Sequence, residues 1–305
     1  MIVDKMSNTD LSAPMPPDYL TVRELAELLR IKERKVYDLA ASGDVPVSRA
    51  TGKLLFPRRE IEAWIASAST GGSPAPAAPR PAICLGSHDP LLEWALRQSR
   101  CGLASFFDGS LDGLDRFRAG EGMAAGLHLH DAHSGDWNVA QVAARCADQN
   151  AVLVAWARRA RGLVMRPDLA DTVTGIADLA GRVIVPRPAD TGTQALFAEL
   201  AAKAGLKLSA ERQTDTAPSE TDAVLAVADG HGDVTFGLQS LAAQHGLAFV
   251  PVIEERFDLL VDRRAWFEPP MQRLMAFCQS DSFKTHAGQM AGYDIAECGG
   301  IRWNA

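Results

Sequence analysis

A segment without large apolar side chains divides this chain into two unequal parts. Residues 66–80 read ASASTGGSPAPAAPR and contain no aromatic or large aliphatic residue. Because a stretch of Ala, Ser, Gly and Pro cannot contribute to a packed core, this composition is typical of a linker. We therefore predict a small head over residues 18–66, a linker over residues 67–80 and a larger body over residues 81–305.

Composition is that of a globular protein from a reducing compartment. The chain has 305 residues, 47% of them hydrophobic, which is enough for a sizeable core. Its 5 cysteines form no CxxC pair and are odd in number, which argues against a disulfide framework or a zinc knuckle. No segment reads as a signal peptide or approaches the roughly 18 apolar residues of a membrane span. The sequence predicts a soluble, cytoplasmic protein with no membrane partner.

Charge is unevenly distributed along the chain. The net charge is −7, yet residues 30–59 contain more basic than acidic side chains. The basic residues are Arg30, Lys32, Arg34, Lys35, Arg49, Lys53, Arg58 and Arg59, against Glu33, Asp38 and Asp44. Such a run is consistent with nucleic-acid binding, and equally with a solvated helix face.

The head shows the pattern of two short helices joined by a tight turn. Thr21 and Glu24 match a capping box, and the apolar residues after them recur at helical spacing up to Arg30. A second helix is predicted over residues 32–41 and is terminated by Gly43. This is the arrangement of a helix-turn-helix, in which the second helix enters the major groove of DNA.

The rest of the head predicts a small wing. After the second helix we expect a short strand, a turn at Thr51–Gly52, a second strand and a closing helix over residues 58–65. The strings LTVRELAELLRIKERKVYDLAASGDVPVSR and GKLLFPRREIEAWI resemble the excisionase-like, MerR-related winged helix-turn-helix family almost end to end. This resemblance implies a DNA-binding domain.

The resemblance also implies which head residues contact DNA. On the second helix these are Lys32, Arg34, Lys35 and Tyr37, which would meet base edges or phosphates, although Tyr37 could instead pack in the core. Arg49, Lys53 and Arg58 would meet the backbone. The implied partner is double-stranded operator DNA, read by a homodimer because paired heads read paired half-sites.

The body alternates between strands and helices. AICLG, PLLEWALRQS, LASFF, SLDGLDRFRAG and GLHLHD predict a βαβαβ unit with a parallel sheet. VLVAWARRARGLVM reads as two adjacent strand-like runs, and a second sheet is predicted over DAVLAVADGHGDVTFG and AFVPVIEERFDLLVDRRAW. We expect one lobe of about 81–160 and 255–305, a second lobe of about 161–254, and a ligand cleft between them.

Five strings carry a second resemblance, which covers nearly all of residues 81–265. They are GSHDPLLEWAL, FFDGSLDGLDRFRAGEGMAAGLHLHDAHSGDWN, RGLVMRPD, ADTGTQALFAEL and PVIEERFDLLVDR. They are similar to the substrate-binding-like domain of bacterial regulators, a relative of type 2 periplasmic binding proteins of the molybdate and tungstate class. The fold class implied is α/β, a winged helix-turn-helix followed by a two-lobed type 2 periplasmic-binding-protein-like domain.

One departure from those relatives concerns charge. Relatives tend to have Ser-Gly-Thr-Arg where this chain has Thr191-Gly192-Thr193-Gln194, so a cation expected near the cleft is missing. Ser87, Ser110 and Thr191 each stand where a helix is predicted to begin, and the unpaired N–H groups of helix N-termini can bind an oxyanion without a lysine or arginine. Alternatively, these three residues are only N-caps.

The sequence thus predicts a cytoplasmic one-component transcription regulator. Its expected effector is molybdate or tungstate, with a small organic ligand as the alternative. The candidate ligand-binding residues are Ser87, His88, Asp89, Ser110, Asp131, Trp137, Asn138, Thr191, Gly192, Thr193 and Gln194. We expect no cofactor and no catalytic residue, since no GxSxG or P-loop motif occurs.

Two competing classes remain. The string HLHDAHSGDWN places His128, His130 and His133 close together, so a DNA-tethered enzyme or metal-binding protein is one alternative. The other is an architectural DNA-binding protein whose body has no ligand.

Overall fold

The computed structural model describes residues 18–50, 52–68, 79–189, 191–207 and 213–305. They form two compact units, a head within residues 18–68 and a body within residues 79–305. The last helix of the head extends to residue 68, and residues 69–78 of the predicted linker lie outside the described residues, as do Thr51 and Asp190.

The head is a helix-turn-helix, as predicted. Its elements are β1 (Tyr19–Leu20), α1 (Val22–Leu29), α2 (Glu33–Ser42), β2 (Phe56–Pro57) and α3 (Arg58–Ala68). The capping box is formed, because Thr21 Oγ1 accepts the N–H of Glu24 and Glu24 Oε2 accepts the N–H of Thr21 at 2.7 Å. Gly43 ends α2 with a φ of 77°. Leu25, Val36, Phe56 and Ile61 form the buried centre of the head core.

The strands of the head pair differently from the predicted hairpin. Among the described residues, the two segments flanking the turn pair through an isolated bridge between Ser48 and Leu55. The next strand, β2, pairs antiparallel with β1, so that Leu20 lies opposite Phe56. Both of these side chains are buried in the head core, which explains why the pairing is made there.

The body contains nine strands and nine α-helices in its described residues. The strands are β3 (Ile83–Gly86), β4 (Ala104–Phe106), β5 (Ala124–Leu127), β6 (Ala151–Met165), β7 (Ile184–Val185), β8 (Val234–Leu238), β9 (Ala248–Asp262), β10 (Tyr293–Asp294) and β11 (Ile301–Asn304). The helices are α4 (Pro90–Ser99), α5 (Ser110–Arg118), α6 (Val139–Cys146), α7 (Gly192–Lys203), α8 (Glu220–Ala228), α9 (Gln239–Gln244), α10 (Arg263–Trp266), α11 (Pro269–Cys278) and α12 (Asp281–Gln289).

All nine strands belong to one sheet, with the main order β4-β3-β5-β9-β6-β8-β7 and with β10 and β11 paired to β6. The prediction of two sheets is wrong, because β6 and β9 pair antiparallel from Ala151↔Asp262 to Met165↔Ala248 and run through the whole body. The prediction of two strand runs within β6 is wrong for the same reason. At about 3.3 Å per residue such a strand is roughly 50 Å long.

The two halves of the sheet differ in their neighbours. The parallel strands β3, β4 and β5 lie at one end, as predicted, and β7 and β8 lie at the other. Register shifts in the β6–β9 pair occur between Ala155 and Ala157 and between Arg161 and Gly162, where the long strands pass from one half to the other. This is the two-lobed type 2 fold predicted from the sequence; the lobe limits remain a prediction. No helix in the described ranges is long and apolar enough to cross a membrane.

Candidate functional site

The body encloses a pocket of about 390 Å³ among its described residues. Its wall is formed by the turns after β3, β4, β5 and β7 and by the first residues of α5, α7 and α8. The lining residues are Ser87, His88, Phe107, Asp108, Gly109, Asp112, His128, Arg187, Pro188, Thr191, Gly192, Thr193, Pro218, Ser219 and Glu220. Because three helices begin here, backbone N–H groups without partners in their own helix collect at the pocket.

The turn after β3 places Ser87 on the pocket wall. Gly86 has a φ of 97°, and a Cβ atom there would lie 2.2 Å from the carbonyl oxygen of Gly126, so this approach requires glycine. Ser87 Oγ lies 2.7 Å from Ser110 Oγ. Ser110 Oγ also accepts the N–H of His128 at 3.0 Å, so it can donate its own proton to Ser87. The Ser87 hydroxyl proton is then left for a ligand.

The N-cap alternative fails for two of the three predicted hydroxyls. The N-cap of α4 is Asp89, and the N-cap of α5 is Gly109, whose φ of 111° leaves Ser110 as the first residue inside the helix. Ser87 and Ser110 therefore hydrogen-bond to each other and do not cap helices. Thr191 does cap its helix, α7.

The start of α7 holds Thr191 and Thr193 by hydrogen bonds. Thr191 Oγ1 accepts the N–H of Gln194 at 3.3 Å and donates to the carbonyl oxygen of Pro188 at 2.7 Å. Thr193 is buried and donates its hydroxyl to Glu220 Oε1 at 2.8 Å. Both threonines line the pocket, as does Gly192 between them.

An arginine does line the pocket, so the prediction that the cleft lacks a cation is wrong. Arg187, in the turn after β7, lines the pocket and donates from Nη1 to the carbonyl oxygen of Ala217 at 2.6 Å. Gln194 does not line the pocket; its Oε1 accepts the backbone N–H of Arg187 at 2.9 Å. The turn RPADTGTQ contains both residues, and this signal was available in the sequence.

The start of α8 adds two lining residues that the sequence analysis missed. Ser219 is the N-cap, in a capping box with Asp222, and Glu220 is the first residue of the helix. The Ser-x-x-Asp spacing before an apolar run could have indicated this helix start.

Glu220 belongs to a buried cluster of charges on the long strands. Arg161 Nη2 lies 2.7 Å from Glu220 Oε1, and Arg161 Nε lies 2.6 Å from Glu255 Oε2. Arg159 pairs with Glu255 and, through Nη1, with Asp89 Oδ2 at 2.8 Å. Burial alone would raise the pKa of Glu255, but the charges of Arg159 and Arg161 lower that pKa well below its ordinary value. The cluster thus connects the pocket wall to the interior of the body.

Asp89 does not line the pocket, contrary to the prediction that it binds ligand. Its carboxylate accepts the N–H of Leu92 at 2.7 Å, Trp156 Nε1–H at 3.0 Å and the Tyr293 hydroxyl at 2.6 Å. Together with Arg159 these donors saturate a carboxylate that is fully buried. Asp89 is therefore a structural acceptor behind the pocket.

The three residues predicted from the loop after β5 also lie outside the lining of the pocket. Asp131 Oδ1 accepts the N–H of His133 at 3.1 Å, Trp137 is buried in the core, and Asn138 Oδ1 accepts the N–H of Leu129 at 2.6 Å. These contacts hold the three side chains, and none of the three lines the pocket.

The side of the pocket next to α5 is acidic. Asp108 and Asp112 line it together with Phe107, whose ring lies 5.8 Å from that of His88 in an edge-on contact. His88 also lines the pocket, and its Nε2 lies 2.9 Å from Glu93 Oε2. This hydrogen bond is the largest cause of the lowered pKa of Glu93.

The histidines of HLHDAHSGDWN have separate partners. His128 Nδ1 lies 3.3 Å from Glu255 Oε2, and His130 Nδ1 lies 3.1 Å from Glu199 Oε2. Across the described ranges, no three His, Cys, Asp or Glu side chains are grouped so that they could hold a metal ion.

On the head, the predicted DNA-contacting residues of α2 are exposed: Lys32, Arg34, Lys35 and Tyr37. Tyr37 is 52% exposed, so its ring does not fill the core. Arg49 Nη2 donates to the carbonyl oxygen of Ala40 at the end of α2 at 2.9 Å, Lys53 is exposed, and Arg58 Nη1 lies 3.9 Å from Glu62 Oε1. DNA contact by these residues remains a prediction.

Two family models match the chain. Residues 93–279 match the PBP superfamily domain, and residues 19–69 match the helix-turn-helix domain. The chain is 22% identical over 299 residues to the uncharacterized protein YvgK of Bacillus subtilis (strain 168), covering 92% of this chain and 96% of that protein.

Solved structures also match the body. The tungstate ABC transporter of Geobacter sulfurreducens has a TM-score of 0.49 at 12% identity, over 67% of this chain and 95% of its own. A putative phosphate ABC transporter substrate-binding protein with bound phosphate from Clostridium perfringens has a TM-score of 0.48 at 14% identity, over 68% and 96%. Likenesses of this size do not identify the ligand of the present chain. The match over residues 93–279, more than half of the chain, shows that it belongs to the PBP superfamily domain family, with a helix-turn-helix domain ahead of that domain.

Proposed function

We propose that the chain is a ligand-responsive transcription regulator of the cytoplasm. The helix-turn-helix head would bind operator DNA, and the body would bind a small anion in the pocket described above. The observation that carries this proposal is the convergence of the N-termini of α5, α7 and α8 on one pocket, in a chain that also carries a DNA-binding fold.

The pocket chemistry favours an anionic group on the ligand. Helix N-termini carry about half a positive charge each, Arg187 adds a guanidinium, and Ser87 adds a hydroxyl proton. Molybdate or tungstate, the effector expected from the sequence, meets this requirement.

A small organic anion, the alternative effector, fits the pocket better. At about 390 Å³ the pocket falls within the range of roughly 300–1,000 Å³ that small-molecule sites occupy. Its wall also carries the carboxylate of Asp108, which opposes a bare dianion, whereas the carboxylates of Asp112 and Glu220 are paired with Arg116 and Arg161. We therefore propose a small organic anion as the effector, with molybdate and tungstate as the competing ligands to test.

Regulation requires that the ligand distinguish two states of the body. A ligand held from both halves of the long β6–β9 pair would favour the closed cleft, and the operator affinity of a homodimer would change by the ratio of its affinities for the two states. The resemblance of the head to the excisionase-like, MerR-related family supports binding to paired half-sites.

The pocket does not favour catalysis. The nearest partner of the Ser87 hydroxyl is another hydroxyl, Ser110 Oγ, and His88 is turned toward Glu93. A nucleophile with an adjacent base is therefore not formed at Ser87. We assign no catalytic residue and no cofactor.

Two measurements on the full chain test the proposal. Bound sequences are first selected from a random DNA pool, and the affinity for the selected operator is then titrated with and without each ligand that raises the unfolding temperature. The ligand panel contains propionate, L-lactate, L-alanine, glutarate, L-2-hydroxyglutarate, L-glutamate, molybdate, tungstate, sulfate and phosphate. Selection of an operator whose affinity changes with a bound ligand supports the proposal. A chain that selects no DNA sequence, or whose operator affinity ignores every bound ligand, contradicts it.

A further inference from the structure

The two oxygens of the Glu220 carboxylate are used unequally. Oε1 accepts hydrogen bonds from Arg161 Nη2 at 2.7 Å and from Thr193 Oγ1 at 2.8 Å. Oε2 is buried and has no hydrogen-bond partner within the part of the chain that the structure describes. The side chain is only 8% exposed, and the residue lines the pocket.

This carboxylate is ionised when the pocket is empty. Burial alone would raise the pKa of Glu220, but the positive charges of Arg161 and Arg159 outweigh it and lower that pKa to about 2. An ionised carboxylate has no proton to donate and can only accept hydrogen bonds. A buried acceptor without a donor costs free energy, and a ligand that brings a donor recovers that cost.

The charges around Glu220 also favour a ligand that carries a hydrogen-bond donor. Asp108 and Asp112 line the pocket as well, and Asp112 is paired with Arg116 at 2.8 Å. A ligand that is only an anion is attracted by the helix N-termini and by Arg187, but it meets the carboxylate of Asp108 and leaves Glu220 Oε2 without a donor. An anionic ligand that also places a hydroxyl or ammonium group near Glu220 is complementary to both the cationic and the anionic parts of the pocket wall.

We infer that the ligand is a small organic anion that also bears a hydroxyl or ammonium group, and that Glu220 selects it by accepting a hydrogen bond from that group. The inference rests on the proposed ligand-sensing function and assigns the chemistry of its pocket. The terminal torsion of a glutamate is broad, so a partial rotation can turn the unpartnered oxygen toward the donor.

Two series of acids with matched carbon skeletons test the inference on the full chain by calorimetric titration. The first is propionate, L-lactate and L-alanine; the second is glutarate, L-2-hydroxyglutarate and L-glutamate. In at least one series the hydroxyl- or ammonium-bearing member should bind at least tenfold more tightly than the member without a donor. The two donor-bearing members of that series then distinguish a hydroxyl from an ammonium.

Glu220→Gln provides the second test. The amide keeps the size of the side chain but removes the charge, so the preference for the donor-bearing acid should fall at least tenfold. Glu254→Gln is the matched control: Glu254 is exposed, pairs with Arg158 and lies outside the pocket lining, so the preference should be unchanged. If Glu220→Gln does not fold, titration of the native chain with the matched acids still tests the inference.

The inference is overturned when molybdate, tungstate, sulfate or a donor-free acid binds at least as tightly as every donor-bearing member, or when nothing in the panel binds. Phosphate binding more tightly than every organic member would also overturn it, since phosphate carries its donor without an organic skeleton. Tight molybdate binding that changes operator affinity would leave the regulator proposal intact. Organic ligands that bind without affecting DNA would contradict the regulator and leave the pocket chemistry standing.

Discussion

The side-chain oxygen of Gln194 accepts the backbone N–H of Arg187 at 2.9 Å, and this bond links the first turn of α7 to the turn after β7. Through this bond Gln194, which is uncharged, positions the backbone of Arg187, which is charged. Arg187 then lines the pocket, and its guanidinium donates to the carbonyl oxygen of Ala217.

We predict that Arg187→Met lowers affinity for the tightest-binding acid of the panel by tenfold to a hundredfold. A hydrogen bond to a charged group contributes about 1.5–3 kcal/mol, and each 1.4 kcal/mol is about a factor of ten. Gln194→Ala should have a smaller effect in the same direction, because it acts only on the backbone of Arg187. Calorimetric titration measures both, and an Arg187→Met variant with native affinity would remove Arg187 from the binding site.

Neighbouring arginines on β6 should differ sharply in their contribution to stability. Arg159 is fully buried between Asp89 and Glu255, whereas the side chain of Arg158 is 35% exposed and pairs with Glu254 and Glu297. Removing one partner of a buried pair typically costs about 3–5 kcal/mol, while an exposed pair contributes about 0–1 kcal/mol.

Arg159→Met should therefore destabilise the body by several kcal/mol, and Arg158→Met should change its stability little. Urea unfolding of the full chain, followed by tryptophan fluorescence, measures the difference. Equal effects of the two substitutions would mean that the buried cluster does not stabilise the body.

We predict that Ser110 contributes to the stability of the ligand-free body. Ser110→Ala leaves the N–H of His128 without its acceptor and the Ser87 hydroxyl without its neighbour, at a cost of about 1–3 kcal/mol. Ser105→Ala, at an exposed serine on β4, is the matched control and should be nearly neutral. The unfolding temperature of the ligand-free chain measures this, and an unchanged value for Ser110→Ala would contradict the hydrogen bonds.

Most of the fold could be predicted from local pattern. The capping box at Thr21 and Glu24 and the left-handed Gly43 depend on nearby residues only, so periodicity and cap chemistry were sufficient to identify the helices of the head. That the body strands form a single sheet could not be predicted from local pattern. Arg158, Arg159 and Arg161 interrupt the apolar pattern of β6, and what makes that segment one strand is its pairing with β9, about a hundred residues away.

The sequence predicts only part of the pocket, because some of its contacts join residues that are far apart in the sequence. Ser87, Thr191 and Thr193 follow strands or precede helices in a recognisable pattern, and the structure brings them together. Asp89 was wrongly included because its partners, Trp156 and Tyr293, are distant in sequence, and nothing local indicates that they saturate it.

DNA binding should depend on the exposed basic side chains of α2. Where the residue contacts a phosphate, Arg34→Ala or Lys35→Ala is expected to weaken binding to every DNA sequence. Each substitution should also reduce the slope of log affinity against log salt by about one. Lys203→Ala, an exposed lysine on the body, is the control for the loss of one positive charge. Fluorescence anisotropy on the selected operator at several salt concentrations measures the slopes, and slopes equal to that of the control would exclude both α2 residues from the interface.

Stability should carry a pH-dependent contribution from Asp258. Burial raises the pKa of this carboxyl to about 6, despite the hydrogen bond from Asn138 Nδ2 at 2.7 Å and the charges of Arg302 and Arg256, with Asp136 adding to the increase. The folded state therefore binds this proton more tightly than the unfolded chain, whose aspartate pKa is about 3.9. The contribution is present below about pH 4 and is lost as the pH rises to about 6.

Asp258→Asn removes this dependence while keeping an acceptor for Asn138. At one pKa unit per 1.36 kcal/mol, the variant should be up to about 3 kcal/mol more stable than the native chain at pH 7, relative to their difference at pH 4. Urea unfolding between pH 4 and pH 7.5 measures the difference, which cancels the contributions of every other titrating group common to both chains. Asp148→Asn, at an exposed carboxylate, is the control for the substitution itself. A difference between Asp258→Asn and the native chain that stays constant with pH would show that Asp258 is ionised in the folded body throughout this range.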